Sequence, residues 1–234
     1  TFGRSPSTPP GGNAFSNETG TPGIFRLFKA PIGKEMSWLL PFALISMIML
    51  AFSETVSFSG MSSMHKGIVL WGGWLLTCVV FFSIADFYHA YYMIMFAPPL
   101  AALIGAGFSW AVDFTKETNW KKGTLVFALI FTLTFQIFLA LEYISFTLLF
   151  LIPIGISIIC SAVLLFSNPL KRCYLISILL LVSVLMIPLI WTLLTVVEEN
   201  PHTGLPNAFS GVNDGLRQPP NSDIENRFQN DLIE

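Results

Sequence analysis

Charge is what this sequence lacks most: Asp, Glu, Lys and Arg make up 11% of its 234 residues, against 53% hydrophobic residues and a mean hydropathy of +0.68. So little charge cannot coat a water-soluble globule. Nor does any apolar run carry the polar stripe at 3.6-residue spacing that a soluble amphipathic helix needs, which excludes a soluble all-helical core. The net charge is −2 with no basic run, so nothing offers a polyanion such as nucleic acid a footprint. Cysteine is equally sparse. Cys78, Cys160 and Cys173 fall inside or at the ends of apolar runs without metal-ligand spacing, and read as small packing residues. There is no Gly-rich phosphate loop, no nucleophile–base–acid constellation and no metal cluster, so the residues alone assign no catalytic group, metal or cofactor. An initiator Met and the apolar core of a signal peptide are also missing, and Thr1 reads as a cut in a longer chain.

What is present is apolar length. A membrane span takes about 20 apolar residues to cross roughly 30 Å of hydrocarbon. Six windows qualify, at about 37–53, 67–85, 90–112, 123–141, 145–166 and 173–196, the first being the shortest. The expected fold is therefore all-α, a polytopic transmembrane bundle of about six spans over residues 37–196. Glu142 is the one charged side chain between Lys122 and Lys171, which predicts a helical hairpin turning at Glu142 and Tyr143, with a solvated carboxylate at its tip.

Residues 1–36 are rich in Gly, Pro, Ser and Thr and read as a flexible extracytoplasmic loop. Within it, "GIFRLF" (23–28) is either an interfacial anchor or plain loop, and Asn17-Glu18-Thr19 matches the short N-glycosylation pattern. Residues 197–234 read as an extracytoplasmic linker containing Pro201, Pro206, Pro219 and Pro220. It leads to a truncated soluble domain, with a helix starting near "DIENRFQNDLIE". Short-loop cations set orientation. Lys66, then Lys116, Lys121 and Lys122, then Lys171 and Arg172 fall on one side, which predicts both termini outside, although Arg26, Lys29 and Lys34 oppose that bias.

The candidate site is the polar collar "DFYHAYY" at the mouth of the third span. Asp86 and His89 lie three apart, on one face if the helix begins early, with Tyr88, Tyr91 and Tyr92 around them. One reading is an ordinary helix start within an aromatic belt. The other is a substrate collar, because histidine and tyrosine at the membrane surface donate strong bonds to a lipid phosphate. Pro98 and Pro99 are expected to interrupt and bend that helix, and Pro153 with Gly155, and separately Pro188, to kink the last two. Ala101, Ala102, Gly105 and Ala106 offer a small-residue face for a close helix neighbour, and Trp71-Gly72-Gly73-Trp74 another packing patch.

Five blocks in order, "GTPGIFRLF", "EMSWLLPFAL", "LWGGWLLTCVVFF", "FYHAYYMIMFAPPLAALIGAG" and "ENPHTGLP", make residues 20–210 resemble the C-terminal half of bacterial membrane glycosyltransferases of family 39. The branch concerned is related to protein O-mannosyltransferases and lipid A aminoarabinose transferases. The resemblance implies part of a GT-C-type fold in the bacterial plasma membrane, taking a sugar from a polyprenyl-phosphate donor to an extracytoplasmic acceptor with inversion. It also implies that the catalytic acid lies in a missing N-terminal half of the same fold, so that this segment alone is inactive. By that likeness His89, Tyr91 and Tyr92 contact the lipid phosphate and Asp86 orients them. The sequence departs from the family's His-Pro-Tyr-Tyr at Ala90, from Pro-Ala at Pro98-Pro99, and from Gln-Ile-Ser-Trp at Glu35-Met36-Ser37-Trp38. Membrane lipid is the other expected partner. The rival classes are a transporter module, against which stands the absence of a mid-span charge, and a non-catalytic scaffold subunit.

Overall fold

The computed structural model describes residues 19–53, 60–86, 88–113, 118–143, 150–166, 170–197 and 208. Asn17 and Glu18 of the glycosylation pattern, the first half of the leading loop, the "ENPHTGLP" block, the tail helix near "DIENRFQNDLIE" and Lys116 lie outside them. Within the described residues every regular element is helical. Helices α1 (Gly33–Ala51), α2 (Ser63–Ile84), α3 (Ala90–Ala111), α4 (Thr118–Leu141) and α6 (Leu170–Val197) each contain a stretch long and apolar enough to span a membrane. Helix α5 (Leu151–Phe166) has 16 described residues, short of a full span; residues 145–149, which the sequence reading assigned to it, lie outside the described set.

The outer surface is made of large apolar side chains, among them Val69, Phe81, Ile94, Phe127, Ile159 and Leu175. In water such a surface would be an aggregation hazard; against lipid tails it is the expected solvent-facing coat. Some polar side chains inside the spans turn inward and pair there, while Thr77, Thr134 and Thr192 stay exposed and bond the carbonyl four residues earlier in their own helix. Ser157 and Ser183 share a 2.6 Å hydrogen bond between α5 and α6, and Gln136 Nε2 on α4 donates to the Trp38 carbonyl at 2.9 Å. Length, composition and surface together define an all-α, multi-pass membrane bundle.

Helix α1 begins at Gly33, four residues before its sequence window. A helical turn (Gly33–Met36) and a 3-10 turn (Ser37–Leu39) precede the regular helix, whose first turn holds Pro41, where proline costs no hydrogen bond. It is also the most central helix: 56% of its span window is buried, against 28% for the peripheral α2.

Proline acts differently from expectation in α3. Its first two turns, Ala90–Phe96, are 3-10, and α-helical geometry starts at Ala97, so Pro98 and Pro99 sit in the opening turn of the α-helix rather than interrupting it. Pro153 likewise falls in the first turn of α5, whereas Pro188 is inside α6.

The small-residue prediction is corrected as well. Gly105 has open space where a Cβ would go, and Ala101 and Gly105 are exposed. Close approach happens instead at Gly107, where a Cβ would overlap the Ser46 side chain of α1 and lie 3.1 Å from its Cα. Only glycine fits there. Gly72 does meet α1, its hypothetical Cβ lying 2.8 Å from Met47 Sδ, but Gly73 faces open space.

The N-terminal ends of α1 and α3 and the C-terminal ends of α2, α4 and α6 meet at one end of the bundle. Gly23 N–H donates to the Ser83 carbonyl (2.8 Å), the Tyr143 hydroxyl to the Pro31 carbonyl (3.3 Å) and Ala30 N–H to Glu142 Oε2 (2.9 Å). The Glu142 carboxylate is therefore exposed but tied to the approach of α1. Lys66 and Lys121 mark the opposite end, Lys121 donating to the Asp113 carbonyl at 3.0 Å and lying over the Trp110 ring.

Candidate functional site

The collar is built around one buried cation. Arg26, from the short turn Arg26–Phe28, is 6% exposed and reaches four carbonyls: Thr19 (2.7 Å), Gly20 (2.9 Å), Ala85 (2.5 Å) and Phe82 (3.3 Å). The last two lie at the C-terminal end of α2, where unpaired carbonyls and the helix dipole favour a positive charge. The same guanidinium stands 4.6 Å from the centre of the Tyr88 ring, which packs edge-on against Phe82 at 4.9 Å. Tyr88 is thus an interior residue at 2% exposure, not part of a surface collar. Burial pushes its phenol above the ordinary range, with the Arg26 charge pulling the other way.

Beside this anchor the chain leaves helical geometry. Ala85 (φ −64°, ψ 128°) and His89 (φ −88°, ψ 143°) are non-helical, and α3 starts only at Ala90. Asp86 and His89 consequently share no helical face, which corrects that expectation; Asp86 sits exposed in a bend. His89, Tyr91 and Tyr92 do come together. The His89 and Tyr91 rings stack at 5.3 Å and 9°, while Tyr92 meets His89 edge-on at 5.9 Å and Tyr91 at 4.6 Å.

Of these predicted residues, Tyr91 alone lines the cleft beside them, a space of about 670 Å³ between α1, α3 and α6. Its polar end is formed by Lys34, Glu35 and Tyr91, and its inner wall by Trp38 and Trp191, whose rings lie 4.9 Å apart. Lys34 is buried with its ammonium 5.4 Å from the Tyr143 ring centre. Along its length the cleft is apolar and open sideways: Ile94, Ala97 and Ala101 on α3 and Thr192 and Val196 on α6 line it and are exposed. Ala208 closes over the polar end, its N–H donating to both Glu35 oxygens at 3.1 Å.

Lys34, Glu35 and Trp191 were not among the sequence candidates. Glu35 carried a signal, as an unusual charge in "EMSWLL", but the cleft joins residues far apart in the chain and no local pattern announces it. Among the described residues no group of three or more His, Cys, Asp or Glu could hold a metal ion.

A membrane helix bundle with a laterally open cleft at one end is the class that fold and site define. Two curated proteins of Bacillus subtilis (strain 168) are similar to it. One, named "Putative mannosyltransferase YkcB", is 37% identical over 178 residues, covering 74% of this chain and 25% of that protein. The other, named "Putative mannosyltransferase YycA", is 37% identical over 128 residues, covering 54% of this chain and 19% of that protein. The chain thus spans about a quarter or less of the length of these relatives. No family model matches it, and no solved structure does.

Proposed function

We propose that this chain is the donor-lipid portion of a bacterial membrane glycosyltransferase of GT-C type, which moves a sugar from polyprenyl phosphate to an extracytoplasmic acceptor. The observation that carries the reading is the shape of the cleft. A pocket that opens sideways between membrane helices is entered from lipid, and one polar end on an apolar trough suits an amphiphile with a charged head. The names of the two relatives supply the sugar-transfer chemistry.

In this reading the phosphate sits against Lys34 and the Tyr91 hydroxyl, and the prenyl chain runs between α3 and α6. His89 and Tyr92 brace the Tyr91 ring and extend the contact at the membrane surface, while Asp86 stays in solvent beside them. In this reading the site end of the bundle faces outward and Lys66 and Lys121 lie on the cytoplasmic side, an orientation that the short-loop cations favour and Arg26, Lys29 and Lys34 oppose. The catalytic acid belongs to the remainder of the parent fold.

Titration of the detergent-purified chain with a short polyprenyl phosphate, followed by calorimetry, tests this. Saturable binding is expected, with Lys34→Met, which keeps the apolar stem, weakening it about tenfold or more through loss of a charge-assisted bond. Equal affinity in Lys34→Met and Tyr91→Phe would remove the phosphate from this cleft.

A further inference from the structure

Two neighbouring residues at the polar end of the cleft have opposite chemistry. The Lys34 ammonium can only donate hydrogen bonds, and the Glu35 carboxylate can only accept them. A lipid phosphate satisfies the first and is repelled by the second, so bare polyprenyl phosphate leaves Glu35 without a ligand partner. The carboxylate lines the cleft with acceptor capacity to spare. The Ala208 N–H is shared between its two oxygens at 3.1 Å each, which fixes the orientation of the group while occupying a minority of its roughly four acceptor sites. In the same cleft the Trp38 and Trp191 rings, tilted at 46° to each other, form part of the lining. An acceptor-only group in a cleft with an aromatic wall suits a ligand with several hydroxyl donors on one edge and a C–H face on the other.

We propose that Glu35 is a specificity-determining residue that accepts hydrogen bonds from the hydroxyls of the sugar carried on the lipid phosphate. The cleft then holds the glycosylated lipid more tightly than the bare lipid phosphate left after transfer, so that the spent carrier is the one released. This rests on the reading of the cleft as the donor-lipid site.

The test compares two ligands on the full chain in detergent, a short polyprenyl phosphate and the same lipid bearing mannose. Wild-type protein should bind the mannosylated lipid about tenfold more tightly, the scale of one or two hydrogen bonds to a charged acceptor. Glu35→Gln, isosteric but uncharged, should bring the ratio of the two affinities close to one. Equal affinities in the wild type, which need no variant to observe, would overturn the proposal, as would a ratio unchanged in Glu35→Gln. If neither lipid binds, the donor-lipid reading fails and this proposal with it; if both bind equally, the donor-lipid reading stands and this one alone falls.

Discussion

Arg26→Ala should be the most damaging single substitution at the site end of the bundle, lowering stability by about 3–5 kcal/mol, because it strips the donor from several buried carbonyls at about 1–3 kcal/mol each. Its guanidinium ties together the Thr19 and Gly20 carbonyls, the end of α2 through Phe82 and Ala85, and the ring of Tyr88. Alanine leaves those carbonyls to find other donors in a place with little water, and it removes the charge that complements the helix end. Arg26→Lys should recover only part of the loss, because an ammonium has three donors on one atom and cannot span the carbonyls a planar fork reaches. Thermal unfolding in detergent would show a Tm lower by on the order of 10 °C for the alanine variant. A variant that melts with the wild type would mean the carbonyls are satisfied without Arg26.

Trp191→Ala ranks second, at about 3–5 kcal/mol for a large aromatic removed from a packed interior. Trp191 is 3% exposed and joins three parts of the fold, with Trp38 of α1 at 4.9 Å and Tyr143 beyond α4 at 5.6 Å. It is also a wall of the cleft, so the substitution should weaken lipid binding as well as the fold. Trp191→Phe separates the effects: it should keep most of the stability and lose part of the affinity for a mannosylated lipid. Wild-type stability in Trp191→Ala would show that the three rings are neighbours without coupling.

The spans were legible because membrane solvent imposes a length and a composition that any sequence must meet. Their internal detail was not. Pro98 and Pro99 looked like interruptions because nothing in the sequence shows that the preceding turns, Ala90–Phe96, are 3-10. Small residues mark where helices can approach, not where they do: Gly105 faces open space and Gly107, two positions on, meets Ser46.

The site was legible in part. Ring clustering of His89, Tyr91 and Tyr92 followed from local spacing, which is why it emerged from seven residues of sequence. Tyr88 was drawn inward by Arg26, a partner more than fifty positions earlier that looked like an unspent loop charge. Lys34 was counted the same way, yet it is buried at the cleft.

The central claim is that a lipid phosphate occupies the cleft between α1, α3 and α6. The most direct measurement is photo-crosslinking with a polyprenyl phosphate carrying a diazirine in its first isoprene unit, in membranes containing the chain, followed by peptide mapping. Labelling should concentrate on Tyr91–Ala101 and on Pro188–Val196, and should be competed by unlabelled polyprenyl phosphate. Labelling spread over the lipid-facing side of α2, around Leu76 and Val80, and insensitive to competitor would contradict the account.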